Sequence, residues 1–73
     1  MRFNDLTVTI YFDTKSAPIR DADKKVVATI MRKGVYETGP KWRLYDTSGI
    51  EVAEGFARVY EALRFLHNLR ATS

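Results

Sequence analysis

The chain has 73 residues, no cysteine, 45% apolar content and a net charge of +3 from 12 basic and 9 acidic side chains. That length allows one domain, residues 1–73, with a modest core. It excludes disulfide stapling and, with His67 as the one soft ligand, leaves no basis for a structural zinc or any other cofactor, so dimerisation remains as the common second stabilising device.

The lack of cysteine suits a reducing compartment, and a cytoplasmic location is expected. Met1 to Asp5 carries an acid early and leads into no apolar stretch, so no leader is expected. The longest apolar run, Val26-Val27-Ala28, is far too short to cross a membrane. The mildly basic balance, with a pI near 9.5, permits nucleic-acid binding without requiring it.

Leu6-Thr7-Val8-Thr9-Ile10-Tyr11-Phe12 alternates strictly, and the period predicts a half-buried strand. Leu6, Val8, Ile10 and Phe12 are expected to point inward, and Thr7, Thr9 and Tyr11 outward. Asp13 to Lys25 is polar, contains Pro18 and reads as a long loop. Val26 to Lys33 reads as a second strand, with Val26, Ala28 and Ile30 inward and Val27, Thr29, Met31 and Lys33 outward. Gly34 to Pro40 is turn-like.

Lys41-Trp42-Arg43-Leu44-Tyr45 reads as a third strand with Trp42 and Leu44 inward. Asp46-Thr47-Ser48-Gly49 has hairpin-turn composition, and Ile50-Glu51-Val52 follows as a short fourth strand. Ser48-Gly49-Ile50-Glu51 also fits a capping box, which would start the helix there. The hairpin is preferred, because Gly55 would interrupt such a helix and Ile50 would lie opposite its apolar stripe. Phe56 to Arg70 has helical spacing, with Phe56, Val59, Ala62, Leu63, Leu66 and Leu69 on one face. The expected fold is α+β: an antiparallel sheet of three to four strands with one C-terminal amphipathic helix on one face, in the order ββββα.

The catalytic inventory is thin: one histidine, no cysteine, and serines at 16, 48 and 73, none in a nucleophile elbow. No enzyme activity is expected. His67 falls at the border of the helix's apolar face, where it packs its ring. Asp21-Ala22-Asp23 is followed by Lys24 and Lys25 rather than further oxygen ligands, so it reads as a solvated turn and not a calcium loop.

The sheet face opposite the helix is the candidate site. Tyr11 and Tyr45 could stack on bases, while Lys33, Lys41 and Arg43 could neutralise phosphates. The expected function is therefore that of a small nucleic-acid-binding module. The alternative is a protein-interaction module, self-associating as a dimer or inhibiting a partner, through Val27, Met31 and Phe65.

Residues 39–69 carry a resemblance of their own. Lys41-Trp42-Arg43 lies in a strand, a hairpin turn follows at Asp46 to Gly49, Phe56 ends the last strand, and Glu61-Ala62 and Phe65-Leu66 come after it. This pattern resembles the βββα arm-binding domain at the N-terminus of phage-type tyrosine integrases, which is similar to AP2-type DNA-binding domains. The resemblance implies a mobile-element or phage accessory protein that inserts its sheet into the DNA major groove. Arg43 and Tyr45, with Lys33 on the preceding strand, would then face the DNA. The last strand carries Glu51 and Glu54 where those domains usually carry basic residues.

Overall fold

Short alternating segments joined by Asp- and Asn-led turns favour an antiparallel meander, and that is the architecture of the computed structural model, which describes residues 1–32 and 42–72. The strands are β1 (Arg2–Phe3), β2 (Leu6–Thr7), β3 (Ser16–Arg20), β4 (Val26–Arg32), β5 (Trp42–Tyr45) and β6 (Glu51–Phe56), followed by α1 (Val59–Ala71). They form one antiparallel sheet in the order β1-β2-β3-β4-β5-β6. The helix packs against β1, β5 and β6, so the sheet curls until both edge strands reach it.

Six strands replace the expected three to four. β1 is only two residues long and turns into β2 at Asn4, whose φ of 53° is one that asparagine tolerates. β3 lies inside the segment expected to be a loop. Ala17 and Ile19 are buried while Ser16, Pro18 and Arg20 are exposed, an alternation that flanking charges and Pro18 obscure. β2 pairs with β3 only at Thr7 and Arg20, so Pro18 sits where no β2 partner asks for an N–H.

Two turns are built alike. Asp21 Oδ1 accepts the N–H groups of Asp23 and Lys25, and Asp46 Oδ1 accepts those of Ser48 and Ile50. In each, the fourth residue donates its N–H to the leading aspartate's carbonyl and adopts positive φ: Lys24 at 64° and Gly49 at 85°. This is a type I turn closed by a left-handed residue, a common hairpin connection. The hairpin reading of Asp46 to Gly49 therefore holds over the capping box.

A row of directly opposed residues, Ala17, Ile30, Leu44 and Ala53, crosses four strands on the concave face. Leu6, Val8, Ile19, Ala28 and Trp42 join the buried part of that face, and Val59, Ala62, Leu63 and Leu66 of α1 close over it. Trp42 and Leu44 thus face inward as their alternation predicts. Gly55, at φ 84°, and extended Arg58 delay the helix to Val59, so Phe56 ends β6 rather than opening α1. Glu61 reaches back to accept the Ala57 N–H at 3.1 Å, which helps satisfy the helix entry. Leu69, expected on the packed stripe, is instead 44% exposed near the end of the helix.

A Cβ at Gly49 would meet nothing within 4 Å, so Gly49→Ala isolates the backbone cost of positive φ. Its urea midpoint should show a loss of about 1 kcal/mol, and Lys24→Gly should show a gain of up to about 1 kcal/mol. Leu63→Ala, at a fully buried position, should cost about 3 kcal/mol in the same assay.

Candidate interaction surface

The convex face of the sheet is set by the same register. Ser16, Met31 and Arg43 form one outward row, and Pro18, Thr29, Tyr45 and Glu51 another. Tyr45 and Arg43 therefore share this face, both half-buried, and Met31 is 40% exposed. Arg43 Nε lies 3.7 Å from Glu51 Oε1 and 3.7 Å from Glu54 Oε2. Two carboxylates thus compete with any phosphate for the guanidinium. Lys33 and Lys41, expected beside it, lie outside the described residues, as do the 34–40 turn and Ser73.

Val27 does not face outward as expected. Ile19 pairs with Ala28 but Arg20 pairs with Val26, which leaves Val27 as the extra residue of a β-bulge. The bulge breaks the two-residue alternation, and Val27 packs partly buried against the core.

Tyr11 and Phe12 are placed differently from the sequence reading as well. After Val8 the chain leaves the sheet and turns back. The Thr14 N–H donates to the Tyr11 carbonyl at 3.1 Å, and the Tyr11 N–H donates to Thr14 Oγ1 at 2.8 Å. This turn lifts Phe12 out of the core, leaving it 98% exposed beside Tyr11 at 68%. The alternation of residues 6–12 cannot reveal this, since a turn's hydrogen bonds depend on Thr14 folding back.

Arg32 ties the turn to the sheet. Its N–H donates to the Lys15 carbonyl at 2.7 Å and its Nη1 donates to the Phe12 carbonyl at 3.1 Å. Its guanidinium carbon lies 4.8 Å from the centroid of the Trp42 ring, a cation–π contact. Arg32 pairs with Trp42 across the ladder, which brings the two side chains to the same face. The sequence places Phe12 in the core, which its 98% exposure overturns, and does not single out Arg32. The signal for Arg32 is its cross-strand relation to the single tryptophan, visible once register is known.

Aromatic side chains flank the helix. On one side Phe65 meets Phe56 at 5.6 Å between ring centroids and stays 38% exposed. On the other, Phe3 of β1 makes edge contacts with Tyr60 at 5.3 Å and His67 at 5.4 Å. His67 thus packs its ring at the helix border, on the face opposite outward-pointing Ser16. Asp21 Oδ1 accepts two N–H groups of its own turn, as a solvated turn requires. Among the described residues no three His, Cys, Asp or Glu side chains gather to hold a metal ion, and no helix is long and apolar enough to cross a membrane.

Compared with protein-family models, curated proteins and solved structures, the chain matches none.

Arg43 and Glu51 are both more than a third solvent-exposed at their side chains or nearly so, at 34% and 42%. A double-mutant cycle with Arg43→Met and Glu51→Gln should therefore give a coupling below about 1 kcal/mol, reduced by added salt.

Proposed function

We propose that the protein is a non-enzymatic interaction module that binds a protein surface, a second copy of itself in the first instance, through the Tyr11–Phe12 turn and neighbouring Met31. The observation that carries this reading is a phenylalanine 98% exposed on a hydrogen-bonded turn. Aromatic and methionine side chains are enriched at the centres of protein interfaces, where paired or absent charge is the rule. The Lys15–Arg32 backbone bond and the Ser16–Met31 pairing put Met31 at the same end of the sheet as the turn.

The magnitudes suggest a weak complex. Full burial of Phe12 contributes roughly 1.5–3 kcal/mol, and association costs several kcal/mol in lost freedom. Self-association no tighter than on the order of 0.1–1 mM is expected from sedimentation equilibrium, with Phe12→Ser and Met31→Lys each weakening it about tenfold or more. A strictly monomeric mass at millimolar protein would end the self-association reading.

A second reading, nucleic-acid binding by a mobile-element accessory protein, draws on the aromatic Tyr11 and Phe12 near exposed Lys15, on outward Tyr45, and on the integrase-like pattern of residues 39–69. The carboxylates beside Arg43 work against it. Glu51→Gln with Glu54→Gln takes the net charge from +3 to +5 by removing two negative charges. If this face meets phosphate, anisotropy of labelled duplex and single-stranded DNA should show tighter, more salt-dependent binding by that variant. Equal and negligible binding by both proteins at low salt would discard this reading.

A further inference from the structure

An aromatic side chain on a surface turn ordinarily folds down onto the nearest apolar surface, because exposure of its ring is unfavourable. Phe12 does not, and the contacts around it give a reason. The turn's two internal hydrogen bonds, between Tyr11 and Thr14, close it upon itself but do not attach it to the rest of the molecule. Among the described residues, the hydrogen bonds that attach it come from Arg32. The Arg32 N–H holds the Lys15 carbonyl at the turn's exit, and the Arg32 guanidinium holds the Phe12 carbonyl at its tip. The same guanidinium rests on Trp42, which is only 7% exposed and belongs to the core.

We infer that Arg32 is a positioning residue that clamps the Tyr11–Phe12 turn to the core and so keeps Phe12 presented to a partner. This rests on the reading of that turn as the protein's contact surface. The chemistry is particular to arginine. A planar guanidinium donates along its edge to a carbonyl while its face lies against an indole ring. A lysine ammonium keeps the charge but has no plane, so it cannot do both in the same place. The value of the clamp lies in preorganisation: a turn already held in its binding shape loses less conformational freedom when the partner arrives.

The test uses the full chain and Arg32→Lys and Arg32→Gln, with amide hydrogen exchange followed residue by residue at a concentration where the protein is monomeric. In both variants the Thr14 and Tyr11 amides should exchange at least tenfold faster than in the wild type, while the amides of Ile30 and Leu44 keep their protection. Sedimentation at higher concentration should then show weakened self-association in Arg32→Lys although Phe12 is intact. Unchanged exchange at Thr14 and Tyr11 in Arg32→Lys would overturn the clamp. A uniform rise across turn and core amides would overturn it too, since Arg32 would then serve general stability. If the turn loosens as expected but Phe12→Ser leaves association untouched, the clamp stands and the interaction reading falls. If Phe12→Ser weakens association while Arg32→Lys alters neither exchange nor association, the surface stands and the clamp falls.

Discussion

Closure of α1 over the concave face of the sheet is the packing on which the described core depends. Val59, Ala62, Leu63 and Leu66 supply the helix's share of the core, and the strands supply the remainder through residues set directly opposite one another. Because the helix touches β1 as well as β5 and β6, the sheet must curl, and its ladder slips at several places. The bulges lie between Ile19 and Arg20 and on both sides of Leu44. Bulges of this kind increase local twist at the expense of regular pairing. In a chain with so small a core, each such departure also decides which side chains are left outside.

Two consequences follow for the surface. The bulge in β4 draws Val27 toward the core and so removes an apolar side chain from the convex face. The twisted end of the sheet leaves β3 to be joined to what precedes it by a turn, and that turn carries Phe12 outward. On the convex face two carboxylates stand beside Arg43, since β6 brings Glu51 and Glu54 alongside it. An apolar contact surface at the turn is thus easier to reconcile with the molecule than a phosphate-binding surface at the sheet.

The edges of the sheet are managed by the same devices. β6 is an outer strand, and left-handed Gly55, the ladder slips and the two glutamates all make it a poor template for further pairing. β1 at the other edge is only two residues long, and its Phe3 is occupied with Tyr60 and His67.

The elements whose pattern spans several residues on one face were legible from sequence. Trp42 and Leu44, Ala28 and Ile30, the Asp46 turn and the helical stripe from Val59 to Leu66 all depend on a period of two, a period near 3.6 or the turn preference of Asp and Gly. Asp21 to Asp23 reads as a solvated turn, but its likeness to the Asp46 hairpin turn is hidden because Lys24 stands where Gly49 stands in its twin, although the hydrogen bonds are the same. Whether a residue at the end of an alternating run stays in the sheet or leaves it is not a local property. Phe12 obeys the pattern of Leu6, Val8 and Ile10, yet Thr14 and Arg32 capture its neighbouring backbone groups and turn it to solvent. Register likewise belongs to the tertiary structure. Only the pairing of β4 with β5 sets Arg32 over Trp42, and only the pairing of β5 with β6 sets two carboxylates beside Arg43. Composition and period determined the inward faces of β5 and of the helix from Val59 to Leu66, because burial there follows from hydrophobicity repeated along one element. The surface was decided by tertiary structure, because a surface is made of residues that meet only when distant segments pair.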